Sequence, residues 1–143
     1  MGPLTTIVDA GPLISVGTTA GPEALRIREV LRGAPGPLIV PAPVTAEVDY
    51  LLTKLAGAAA ARAFIEDIWL GRFEVECLTP AEYGTVLELG SRYIGLDPGL
   101  ADLSVVVLAH RFTTRRVLTI DQRHFRAITG LNGDPFMLLP WDS

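Results

Sequence analysis

Thr5-Thr6-Ile7-Val8-Asp9 decides the fold: four β-branched residues in succession, closed by an acid. Such a run favours extended backbone, and its lack of polar alternation suits a strand covered on both faces. The pattern returns at Val117-Leu118-Thr119-Ile120-Asp121, again ending on an aspartate. Working outward, residues 37–40, 73–78 and 136–139 read as further short strands, β-branched or aromatic and bounded by Gly, Pro or charge. Helical stretches lie between them. Residues 22–32 carry Leu25, Ile27, Val30 and Leu31; 44–55 repeat at Val44, Val48, Leu51, Leu52 and Leu55; 58–70 carry Phe64, Ile65, Ile68 and Trp69. Thr79-Pro80-Ala81-Glu82 predicts a capping box with Pro at the first helical position, opening a helix toward Tyr93. Asp97-Pro98 predicts another N-cap followed by Pro in the first turn. Strands alternating with helices predict an α/β fold: a central parallel sheet of about five strands with helices on both faces.

No repeat, low-complexity tract or linker divides the chain, so a single domain over residues 1–143 is expected. That length suffices for one core. The residues AVILMFWYC make up 49% and 14 glycines add to them, exceeding the ~45 to 50% usual for globular domains counted with Gly. The excess predicts that another chain covers some apolar surface. The charge-free stretch at 34–46 holds four prolines and falls short of the ~20 apolar residues of a spanning helix. No membrane span is expected. A lone Cys77 and no signal-like beginning make a reducing cytoplasm the expected compartment.

Net charge is −4, from 12 Lys+Arg against 16 Asp+Glu, which argues at first against a polyanionic partner. Distribution changes that picture. Asp9, Glu47, Asp102 and Asp121 sit in or beside apolar segments, and setting them aside as cation ligands leaves the remainder neutral. Arg111, Arg115, Arg116, Arg123 and Arg126 then form a basic stretch able to face phosphates, unless it is simply a solvated surface.

A buried carboxylate costs several kcal/mol unless it is paired or holds a cation, and no Lys or Arg lies within three residues of Asp9 or Glu47. Asp9 and Asp121 each end a strand, so a parallel sheet projects both from its carboxyl edge, where open α/β sheets place their sites. Thr119 shares a strand face with Asp121 and can orient a carboxylate or a coordinated water. Glu47 falls about 80° from the centre of its helix stripe, close enough to reach inward. Asp102 interrupts the helix Leu100-Ala101-Asp102-Leu103-Ser104-Val105-Val106-Val107-Leu108-Ala109, apolar around nearly its whole circumference and therefore buried. Taken singly, each acid has a structural explanation: Asp9 or Asp121 as a cap, Glu47 as a surface residue, Asp102 as a protonated or Arg-paired acid. An oxygen-rich set without Cys or paired His suits Mg²⁺ or Mn²⁺ rather than zinc. His110 and His124 show no ligand spacing and read as surface residues. No phosphate-cradling glycine loop or nucleophile elbow is present.

Ile7-Val8-Asp9-Ala10-Gly11-Pro12-Leu13, Thr45-Ala46-Glu47-Val48, Gly99-Leu100-Ala101-Asp102-Leu103-Ser104 and Leu118-Thr119-Ile120-Asp121, with Phe125 close behind, together resemble the PIN-domain ribonucleases, and within them the VapC toxins. The order D…E…D…T-x-D covers nearly the whole chain and is far more specific than any one member. The resemblance places the four family acids on Asp9, Glu47, Asp102 and Asp121, with Thr119 in support, in a single PIN-like domain. Gly11 departs from the family pattern, where many members carry a Ser or Thr hydroxyl. The resemblance implies a Mg²⁺-dependent endoribonuclease, Mn²⁺ substituting, that cuts structured RNA such as tRNA or ribosomal RNA. It further implies a homodimer held inactive by a VapB-like antitoxin. Asp9 and Asp102 are expected to anchor the principal metal. Asp121 would take a second metal or its waters, and Glu47 would position or deprotonate the attacking water. Arg116, Arg123 and Arg126 are candidates for RNA phosphates.

Two other classes stay open on the residues alone. One is a PIN-like module that binds RNA or protein without cutting, in keeping with Gly11 and the apolar excess. The other is a phosphoacceptor receiver domain, which needs a lysine after its last strands, whereas the only lysine is Lys54 inside a helix.

Overall fold

A computed structural model describes residues 4–142. Five short strands, β1 (Thr6–Val8), β2 (Leu38–Pro41), β3 (Glu74–Glu76), β4 (Arg116–Leu118) and β5 (Met137–Leu139), form one sheet in the order β3-β2-β1-β4-β5. Every pairing is parallel, with Ile7 opposite both Ile39 and Val117. The expected strands and the α/β fold are therefore present, and β1, the first apolar run, lies at the centre.

Strand residues alternate between two cores. Ile7, Ile39, Val117 and Leu138 face one side, where they meet Leu89, Leu103, Val107 and Phe125. Val8, Val40, Leu118 and Leu139 face the other, against Leu13, Ile27, Val48 and Phe64. Burial on both faces is why these strands read as continuous apolar runs. The helices are α1 (Ala10–Thr18), α2 (Pro22–Arg32), α3 (Ala42–Ala56), α4 (Ala58–Trp69), α5 (Pro80–Arg92), α6 (Leu100–Arg111) and α7 (Gln122–Ala127). The first four cover one face of the sheet and the last three the other. Seven consecutive residues of α6, Leu103 through Ala109, are buried, as its uniform apolarity predicts. Both halves of the Thr79 capping box form, with Glu82 N–H on Thr79 Oγ1 at 3.2 Å and Thr79 N–H on Glu82 Oε1 at 2.8 Å.

The Asp97 N-cap is not found. α6 begins after Gly99, and Asp97 occupies the left-handed region at φ 50°. An N-cap takes extended backbone, which left-handed Asp97 does not have, so Asp97-Pro98 closes the preceding turn instead of opening the helix. No helix among the described residues is long and apolar enough to cross a membrane.

Candidate metal centre

In a parallel sheet, a helix that follows a strand starts at the carboxyl edge, and a helix that precedes a strand starts there too. The N-termini of α1, α3, α6 and α7 consequently surround that edge, and their free N–H groups and dipoles favour negative charge. All four acids are carried by these ends. Asp9 and Asp121 occupy the N-cap positions of α1 and α7, Asp102 the third residue of α6, and Glu47 the second turn of α3.

Asp9 is only 6% exposed, and its carboxylate makes no capping bond to α1. It is held from the sheet instead: the fully buried Thr119 hydroxyl donates to Asp9 Oδ2 at 2.8 Å. Thr119 Oγ1 in turn accepts the Asp121 N–H at 2.9 Å. A hydroxyl has a single proton, so a donor on its lone pair directs that proton to Asp9. Burial pushes the Asp9 carboxyl from its usual 3.8 up to about 6, against the lowering effects of the Thr119 bond and the Ala10 N–H, and the charges of Asp102 and Glu47 add to the rise. Glu47 itself is exposed at the rim, near enough for its charge to act on Asp9.

Asp102 is half-buried at 21% exposure, and its Oδ2 accepts the Gly99 N–H at 3.4 Å. Burial raises its pKa; the Gly99 bond and His124 oppose this, and Asp121 adds to it. Asp121 caps α7 by accepting the His124 N–H on Oδ1 at 3.0 Å. One ligand atom from each of Asp102, Asp121 and His124 lies within 4.8 Å of the others, compact enough for one ion.

His124 is not the surface residue expected from the sequence, its side chain being only 17% exposed. Nδ1 lies 2.7 Å from Asp121 Oδ2 and 3.5 Å from Asp102 Oδ2, and Nε2 lies 3.0 Å from the Leu96 carbonyl. Carbonyl and carboxylate oxygens only accept, so each ring nitrogen faces an acceptor, a setting that favours the protonated ring. Burial draws the His124 pKa down, but the Leu96 and Asp121 bonds and the two acidic charges raise it overall. A signal was available: Asp and His at i, i+3 share one face of a helix. His110 is exposed, as expected.

The basic residues are not gathered at this edge. Arg116 begins β4 at the opposite edge of the sheet, where Nε donates to Thr6 Oγ1 at 3.1 Å. Arg126 is bound by both oxygens of Asp142 at 2.8 Å. Arg123 is exposed on α7, two residues from Asp121.

Does this donor set fit a divalent cation? Among the described residues no Lys or Arg pairs with Asp9, Glu47, Asp102 or Asp121, although other acids find guanidinium partners. Carboxylate oxygens gathered where no Lys or Arg reaches them, one of them buried with a raised pKa, suit a hard divalent ion. Fold and site together define a parallel α/β domain with a candidate metal cluster at its carboxyl edge. The PIN domain family model matches residues 6–131. The chain belongs to that family, among its VapC-like ribonuclease toxins. It is 31% identical over 134 residues to ribonuclease VapC26 of Mycobacterium tuberculosis, spanning 94% of this chain and 99% of that one. The crystal structure of VapC20 from M. tuberculosis, described as a sarcin-ricin loop cleaving toxin, superposes with a TM-score of 0.73. That likeness is at 17% identity over 82% of this chain and 91% of the other, and it bears on the fold alone.

Proposed function

We propose that this protein is a Mg²⁺-dependent endoribonuclease, the toxin of a VapBC-type pair, that hydrolyses phosphodiesters in structured RNA such as tRNA or ribosomal RNA. The observation that carries the reading is Asp9: a buried carboxylate with a pKa raised to about 6, facing further acids and no protein cation. Mg²⁺, with Mn²⁺ able to substitute, supplies charge neutralisation at the scissile phosphate and activation of water for in-line attack. Asp9 and Asp102 would anchor the ion, and Asp121 would take a second ion or its waters. Thr119 aims Asp9, and Glu47, exposed at the rim, would position or deprotonate the attacking water. Arg123 is the best placed of the three arginines to meet an RNA phosphate at this edge.

Partners follow the same reading. Tyr50, Leu55, Ile65 and Trp69 are exposed on α3 and α4, and Tyr83 and Leu87 on α5, which supports two covered surfaces: a second copy and a VapB-like antitoxin. Mapping new RNA 5′ ends after brief expression tests activity and substrate together. Wild type should create discrete Mg²⁺-dependent ends that Asp9→Ala abolishes without unfolding; identical ends from both would sink the assignment. A module that binds without cutting is the second reading, favoured by Ile120, which is 40% exposed and packs over the side-chain-free Gly11 beside Asp9. Such a module should bind Mn²⁺ no better than Asp9→Ala does.

A further inference from the structure

We infer that His124 is a positioning residue, setting the orientation of the Asp121 carboxylate and anchoring it to the turn that leads into α6. The inference rests on the reading of the acids as a cation site. Residue 124 controls both oxygens of Asp121: its backbone N–H binds Oδ1 at 3.0 Å and its Nδ1 binds Oδ2 at 2.7 Å. Each oxygen keeps a second lone pair for other ligands. Without the ring, the carboxylate would be held only by its cap and could rotate about its side-chain torsion.

The ring is itself fixed from outside α7. Nε2 meets the Leu96 carbonyl at 3.0 Å, across 28 residues of sequence. Leu96 lies three residues before Gly99, which caps α6 and donates to Asp102 Oδ2 at 3.4 Å. His124 therefore links the frame carrying Asp121 to the segment that delivers Asp102. α7 has only six residues, so this cross-link supplies a rigidity that so short a helix lacks. Residues that hydrogen-bond a ligating carboxylate hold it in one orientation, and their loss typically weakens metal binding about 10- to 100-fold.

Three substitutions separate the two bonds. His124→Ala removes both; His124→Asn keeps an N–H near the Nδ1 position, toward Asp121; His124→Gln keeps one near Nε2, toward Leu96. Mn²⁺ affinity, read by paramagnetic resonance of the free ion, should fall about 10-fold or more in the Ala variant and recover in part in Asn but not in Gln. At saturating Mn²⁺, kcat for RNA should fall while KM stays within about twofold, because the ring acts on the acid and not on the RNA. Unchanged or tighter Mn²⁺ binding in the Ala variant would overturn the role, as would recovery in Gln alone. If the Ala variant does not fold, Asn against Gln decides the question. Wild type that binds no Mn²⁺ overturns both this role and the cation site, whereas wild type and His124→Ala binding equally overturns only the role.

Discussion

The two ends of α6 both gather acids, and they treat them in opposite ways. At its C-terminal end Arg111 meets Glu82 through Nε at 3.1 Å and Nη2 at 2.5 Å, Glu76 through Nη1 at 2.8 Å, and the Cys77 carbonyl at 2.6 Å. The guanidinium hydrogen bonds pull the Glu82 pKa down. At its N-terminal end Asp102 has the Gly99 N–H and a histidine at 3.5 Å, and its pKa is raised. One cluster clasps α6 to α5 and to the end of β3; the other is left short of positive charge. The acids at one end are neutralised within the protein, while those at the other would, on the proposed reading, be neutralised by a bound cation.

Exchanging damage between the ends should separate function from stability. Asp102→Ala should lower RNA cleavage on the order of 100-fold or more while leaving the urea midpoint unchanged or slightly raised, since a like charge is relieved. Arg111→Met should do the reverse. It leaves Glu82 without its cation and should cost about 2 kcal/mol, less than a fully buried pair because Arg111 is 28% exposed. Cleavage by the folded fraction should be retained. A variant at either end that loses both properties together would dissolve the contrast.

The pH dependence of Asp9 sharpens it. Folding raises the Asp9 pKa from 3.8 to about 6, so the native state holds the extra proton. Relative to a neutral side chain Asp9 costs nothing below pH ~4; the cost grows as pH rises through ~6 and reaches about 3 kcal/mol above that range when no cation is bound. In EDTA, Asp9→Asn should therefore be more stable than wild type by about 2 to 3 kcal/mol at pH 7.5, and the gap should close by pH ~4. Saturating Mn²⁺ should narrow the gap by stabilising wild type alone, by about 2.7 kcal/mol at a hundred times its dissociation constant. A constant gap across pH in EDTA would show that the Asp9 charge costs nothing.

Much of this was legible because burial on both faces writes strands as apolar runs, and because an acid that ends such a run projects from the carboxyl edge of a parallel sheet. Strands β1 to β5, helices α2 to α6 and the edge positions of Asp9 and Asp121 follow from local pattern. α1 does not, since Gly11, Pro12 and Gly17 read as loop punctuation. Pro12 is tolerated because the first helical turn needs no N–H partners, and a Cβ at Gly17 would stand 2.5 Å from Leu52 of α3, so close helix packing selects that glycine. α7 is too short for a periodic signal. The partners of the arginines were illegible for another reason. Arg111 with Glu76 and Glu82, Arg126 with Asp142, and His124 with Leu96 join residues 16 to 35 apart in sequence, and only the fold brings them together.

The smallest effect tests the floor of the acidic end, at Gly11. A Cβ built there would lie 2.5 Å from Ile120 Cγ1 and 2.9 Å from its Cδ1. Gly to Ala inside a helix normally gains up to about 1 kcal/mol. Here the gain is opposed, because Ile120 must leave its rotamer at a cost of about 0.5 to 1.5 kcal/mol. Gly11→Ala alone should thus change stability by less than about 0.5 kcal/mol. In an Ile120→Ala background, where Cγ1 and Cδ1 are gone and only Cβ remains at 3.8 Å, the same substitution should stabilise by about 1 kcal/mol. The coupling of the double-mutant cycle measures how firmly Ile120 is seated between Thr119 and Asp121. A coupling near zero would mean that Ile120 moves freely out of the way of residue 11.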